Sequence, residues 1–339
     1  MHKIFLLLIA FFIVGNACQA QRLSNAERKE LLVKEDSLKS FALELIQGRT
    51  AEDRFNADSQ FTKMFVRALK LKNSFYFPFD SLKTISKLSP GDSSFKIYTW
   101  QLVVNDDVVR QHGAIQMRTE DGSLKLFPLI DKAEAIKNIQ DTIANNLNWI
   151  GAVYYKIIQK KSFGKNFYTL LGYDENNLNS NRKIIEVLTF QNGQPLFGGS
   201  FFSFQDNGMN QKGMARYIME YKKNASPRLT FDSDMDMIIY EHLISETGEP
   251  NKKYTYIPDG DYEGLKWKDG KWVHIQKVFN QMTPEGKEPV PNPIRDAKGT
   301  IDESKLSQRL PENADDVEES NDQSTPIQKI PAKKKKKND

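Results

Sequence analysis

Three acidic residues, Asp259, Asp261 and Glu263, alternate just before Gly264 and are the most suggestive chemical feature of the chain. Hard cations take clustered oxygen ligands, and this set copies the opening half of a helix-loop-helix calcium loop. Gly270 stands at the twelfth position, where such a loop has its closing glutamate, and aromatic strand-like segments flank the set. Turn formation by Asp and Gly is the competing reading. Asp232, Asp234 and Asp236 repeat the alternation but put Met237 where the loop needs glycine. Calcium is thus the one cofactor the sequence offers. Asp232, Asp259, Asp261 and Glu263 could alternatively serve as acid and base of a glycan- or ester-cleaving hydrolase.

Other motifs carry less chemistry. His112, His242 and His274 each fall in a predicted strand without a second ligand at sequence spacing. His242 and His274 lie in segments that could be neighbours, with Glu241 nearby, so a shared zinc site competes with three solvent-facing histidines. Gly91, Asp92, Ser93 and Ser94 resemble the nucleophile block of Gly-Asp-Ser-Leu lipases and esterases. That block follows a strand and opens a helix, whereas this one precedes a strand-like run, so a turn starting at Pro90 is expected. Gly198, Gly199 and Ser200 are followed by Phe201 and Phe202 and read as a bend within a strand. Trp100, Trp149, Trp267 and Trp272 are expected in the core rather than on a sugar-binding face.

The elements that position these residues follow from periodicity. Ser24 with Glu27 and Thr50 with Asp53 are capping boxes. Leu31, Leu38, Phe41 and Leu45, then Phe55, Phe61, Phe65 and Leu69, recur at helical spacing, and Gly48 separates the two stripes. A helical hairpin over residues 21–80 is expected. From Phe95 the period becomes two, with turns at 105–106, 121–122 and 192–193. Connections this short favour antiparallel pairing, so residues 95–280 should form an antiparallel β-meander closed as a sandwich or barrel, with a propeller as the other option. One short helix is expected within 133–148. The fold class is mainly β, or α+β overall.

The two ends set the compartment. Residues 1–20 have a basic start, an apolar run from Ile4 to Val14 and small residues to Ala20, the pattern of a secretory signal peptide. Cleavage before Gln21 is favoured. Cleavage before Cys18 with lipidation is the minority reading, because Gly15 replaces the preferred aliphatic residue. The favoured cut removes the only cysteine and with it disulfides and thiolate chemistry. Residues 281–339 are proline-interrupted and charged, read as a disordered tail ending in Lys333–Lys337. The net charge of +4 gives no reason to expect nucleic acid, and no later segment is long and apolar enough to span a membrane.

The runs Tyr-Tyr-Lys-Ile-Ile at 154–158 and Tyr-Thr-Leu-Leu-Gly-Tyr-Asp at 168–174, with the stretch from Tyr254 to Val273, resemble uncharacterised exported proteins of the Bacteroidota. The resemblance implies a periplasmic or extracellular location and a β-rich body, and no activity. A noncatalytic β protein binding a cell-envelope polymer or protein is expected, with an envelope hydrolase and a calcium-stabilised structural module as alternatives.

Overall fold

The computed structural model describes residues 23–105, 108–204 and 214–279. The expected signal peptide over residues 1–20, Cys18 within it, and the expected disordered tail over residues 281–339 with its lysine run lie outside the described residues.

Both capping boxes form. Helix α1 (Asn25–Gln47) starts where the Ser24 hydroxyl accepts the Glu27 N–H at 3.2 Å and the Glu27 carboxylate accepts the Ser24 N–H at 2.8 Å. Helix α2 (Ala51–Leu69) repeats this with Thr50 and Asp53. The stripes pack as expected except Phe55, which is exposed. Glu35 sits in the buried stripe of α1 because its carboxylate accepts the Ser81 N–H at 2.7 Å.

Strands β1 (Ser86–Leu88), β2 (Phe95–Val103), β3 (Val109–Met117) and β4 (Lys125–Ile130) form a first antiparallel sheet in that order. Strands β5 (Ala144–Asn145), β6 (Val153–Ser162), β7 (Lys165–Asp174), β8 (Ser180–Gln191) and β9 (Gln194–Phe197) form a central sheet in the order β5-β9-β8-β7-β6. β10 (Phe202–Ser203) belongs to a third sheet, and β11 (Arg216–Lys222) pairs with β8. β12 (Leu229–Asp232), β13 (Met237–Ser245), β14 (Tyr256–Lys268) and β15 (Lys271–Ile275) complete the third sheet, ordered β10-β15-β14-β13-β12.

Alternation along the strands stacks these layers. On β2, Tyr98, Trp100 and Leu102 pack with the helices, while Phe95 and Ile97 face the central sheet. The central sheet is buried on both faces: Leu170, Ile184 and Leu188 join the first sheet, and Leu171, Ile185 and Val187 join the third. That is why Tyr168–Leu171 of β7 and Ile184–Leu188 of β8 are buried at every position, without the in-and-out alternation of a half-exposed strand. Among the described residues no barrel closes, and the sheets stack as a layered sandwich. All four tryptophans are buried or half-buried.

Two expectations need correction. The pairing of β10 with β15 is parallel, Phe202 opposite Trp272, and the Trp272 N–H to Phe201 carbonyl bond of 2.7 Å anchors it. Residues far apart in sequence need no hairpin, so the short-connection argument does not reach them. The helical content of residues 133–148 is one 3-10 turn, Ala133–Ala135, and the same stretch supplies strand β5. Their side chains bind nearby backbone instead: Asn145 accepts from the Leu147 N–H at 2.8 Å, and Thr142 donates to the Asn138 carbonyl at 2.6 Å. No described helix is long and apolar enough to cross a membrane.

Candidate functional site

A cleft of about 1040 Å³ opens where α2, β3, β4 and the residues after β4 meet the end of β7 and the start of β8. Its polar groups come from five separate stretches of chain. Asp58 on α2 accepts from Trp100 Nε1 at 3.2 Å and lies 2.9 Å from His112 Nδ1 on β3. Trp100 and His112 are register partners across β2 and β3, so one carboxylate anchors both rings. Held through Nδ1, the imidazole keeps Nε2 for a ligand or a water.

Deeper in the cleft, Asp131 accepts the backbone N–H groups of Ala133 (3.0 Å), Gly151 (3.2 Å) and Gln111 (3.3 Å). Gly151 has to be glycine, since a Cβ there would stand 2.3 Å from Asp131 Oδ2. The Gln111 side chain donates through Nε2 to Asp174 at 3.3 Å. Burial pushes the Asp174 carboxyl above its ordinary range, and the Asp131 charge adds to that rise, while the Asn176 N–H and Arg182 oppose it. Gln111 is 1% exposed, and its amide oxygen has no hydrogen-bond partner.

The histidines on the third sheet have partners too. His242 Nδ1 lies 2.7 Å from Asp259, and His274 Nε2 lies 2.9 Å from Glu263, which also stands 3.8 Å from His242 Nε2. The carboxylate between the two imidazoles is therefore Glu263; Glu241 instead accepts from the Arg228 N–H and the Tyr262 hydroxyl. The buried Tyr240 hydroxyl faces this cluster without a well-formed hydrogen bond, and its acidity is suppressed by burial first and then by Tyr217 and Glu263.

Of the three calcium-loop candidates, Asp259 and Glu263 are thus turned onto histidines, while Asp261 is exposed, 3.8 Å from Lys277. All three lie within β14, which runs through them with Gly260 at φ +92°. Asp232 accepts the N–H groups of Asp234 and Met235 at 2.9 Å, a turn, and Asp236 binds Lys160. Among the described residues no three His, Cys, Asp or Glu side chains are spaced to hold a metal ion. Asp92 ends the Gly91–Ser94 turn by binding Ser94 and Tyr168, with the Ser93 N–H bonded to the Pro90 carbonyl at 3.0 Å.

Neither a family model, nor a curated protein, nor a solved structure matches this chain.

The histidine–carboxylate cluster predicts an acid response. Burial alone would raise Glu263, but the His274 hydrogen bond, the nearby Tyr240 hydroxyl and the two imidazole charges bring its carboxyl below the ordinary range. Asp259 is lowered likewise, its burial outweighed by His242 and the Asp261 N–H. A carboxylate lowered in the folded state adds stability above its unfolded value, and that stability is lost as pH falls through the folded value. Thermal midpoints should therefore drop on acidification below about pH 4.5, and less steeply in Glu263→Gln. Parallel midpoint-versus-pH curves for the two proteins would overturn the assignment.

Proposed function

We propose that this chain is an exported, noncatalytic β protein of the cell envelope that binds a segment of envelope polymer in the cleft between its first and central sheets. One observation carries the reading: the unpartnered amide oxygen of buried Gln111 on the cleft wall. An orphaned buried acceptor costs free energy unless something donates to it. A ligand hydroxyl or amide N–H would do so once the enclosed Gln111 amide turns out of the wall toward the cleft, with Asp131, Asp174 and Arg182 positioned to take further polar groups. Hydroxyl- and amide-rich glycopeptide suits this lining. The signal-like leader and the Bacteroidota-like stretches support the compartment.

Calorimetric titration with soluble peptidoglycan fragments tests this. Wild type should bind, and Gln111→Leu should bind at least about tenfold more weakly, the equivalent of one hydrogen bond left unmade. Asp174→Asn should weaken binding similarly. An absence of binding by the folded wild type, or equal affinities in all three proteins, would overturn the proposal.

The Asp58–His112 pair favours a second reading, an envelope hydrolase with His112 as general base. Release of new reducing ends or free peptide from the same fragments, abolished in His112→Ala, would favour it. Binding with no product favours the first.

A further inference from the structure

Two hairpin turns end side by side on one edge of the protein. The turn joining β6 to β7 is centred on Phe163 and Gly164, at φ +49° and +74°. The turn joining β14 to β15 is centred on Asp269 and Gly270, at φ +50° and +80°. They touch: a Cβ on Gly270 would lie 3.2 Å from the Phe163 ring, and Trp267 Nε1 donates to Ser162 Oγ at 3.0 Å. Beneath them Phe167 packs on Trp267 with ring centroids 5.5 Å apart, and Trp267 on Trp272 at 5.2 Å. The tips therefore sit on a rigid aromatic base.

Tight hairpin turns with two left-handed residues favour Asn-Gly or Asp-Gly. The second turn obeys this rule and the first breaks it. A bulky side chain at positive φ is strained, and Phe163 is also 82% exposed, the most exposed large apolar residue among those described. Strain and solvent exposure together at one apex point to function rather than folding. Around the apex the chain places exposed Lys161, Lys165, Lys268 and Lys271, and the acid Asp269 is the one negative residue in the two turns.

We propose that these paired tips dock the protein on an anionic phospholipid surface, with Phe163 inserted at the boundary of headgroups and acyl chains and the four lysines on lipid phosphates. A single phenyl ring ringed by cations suits an interface that is charged at its surface and apolar just below. A protein partner would need a contact face of roughly 800 Å², far more than one ring offers. An anionic polymer in solution would use the lysines and leave the ring in water.

Sedimentation of the full mature chain with vesicles of phosphatidylglycerol and phosphatidylcholine, against phosphatidylcholine alone, tests this. The lysine-rich tail is present in every variant, so the reading is the ratio between proteins. Phe163→Asn restores the favoured Asn-Gly turn, so it should keep or raise the thermal midpoint while weakening binding to the anionic vesicles about tenfold. Phe163→Leu should retain binding. Reversing Lys161 and Lys165 to glutamate should weaken it by tenfold or more. Anionic-vesicle binding by Phe163→Asn equal to wild type would overturn the proposal. So would loss only in the lysine variant, which would assign the tips to soluble anionic polymer.

Discussion

Arg216→Met lowers the unfolding free energy by about 3–5 kcal/mol, read as a shift of the denaturant midpoint at unchanged slope. Arg216 on β11 stands opposite Glu186 on β8, and both side chains are fully buried. The guanidinium donates from Nε to Glu186 at 2.9 Å and from the other nitrogens to the carbonyls of Ile139, Thr142 and Phe197. Glu186 also takes the Tyr154 hydroxyl, which in turn accepts from Trp149 Nε1 at 2.8 Å. Taking two charges out of water is expensive, and the pair holds because the fork finds an oxygen at each of its nitrogens. Methionine would leave Glu186 charged in the core and free the loop at 139–142. The double variant Arg216→Met with Glu186→Leu should recover most of the loss, because an apolar pair of similar volume removes the stranded charge. A single-variant loss below about 1 kcal/mol, or a double variant worse than the single, would show that the pair is not what ties this loop to the sheet.

This network also marks where sequence reading stops. Capping boxes span four residues, so Ser24 with Glu27 and Thr50 with Asp53 announce α1 and α2 from the chain alone. Period-two alternation is equally local, and the β-rich body is legible from it. Register between strands is not local. Asp259 and Asp261 flank a turn inside β14, where Gly260 is left-handed and Asp259 accepts the Asp261 N–H at 3.0 Å, and the spacing of a calcium loop imitates that turn. Which carboxylate meets His242 and His274 depends on the bulge in β14 between Pro258 and Tyr262, which carries extra residues opposite Glu241 to Leu243 of β13. No short motif encodes it. The cleft is still less legible: Asp58, Gln111, Asp131, Asp174 and Arg182 share no spacing, and only the stacking of helix, first sheet and central sheet gathers them. His112 is visible as a lone strand histidine, and its Asp58 partner comes from a helix that the strand pattern does not mention.

Phe65→Ala should cost about 3–5 kcal/mol, the range for removing a fully packed aromatic ring from a core. Phe65 is 1% exposed on α2 and stands where the helical hairpin meets the first sheet. Its ring centroid lies 5.4 Å from Phe61, 5.2 Å from Phe79 and 5.0 Å from Tyr98, with the last two met edge-on. Edge-on packing adds to area burial, so collapse of neighbours into the space would sacrifice these contacts as well as leave a void. The same helix carries Asp58, which holds Trp100 and His112 across the cleft mouth. Loosening α2 should therefore also weaken ligand binding, but by less than Gln111→Leu does, because Asp131, Asp174 and Gln111 are fixed to the sheets and not to the helix. Denaturant unfolding gives the stability loss, and titration with the same peptidoglycan fragments gives the affinity loss. A loss below about 1 kcal/mol would mean that the hairpin is held by other contacts. An affinity loss larger than that of Gln111→Leu would move the centre of the binding site from the sheets to the helix.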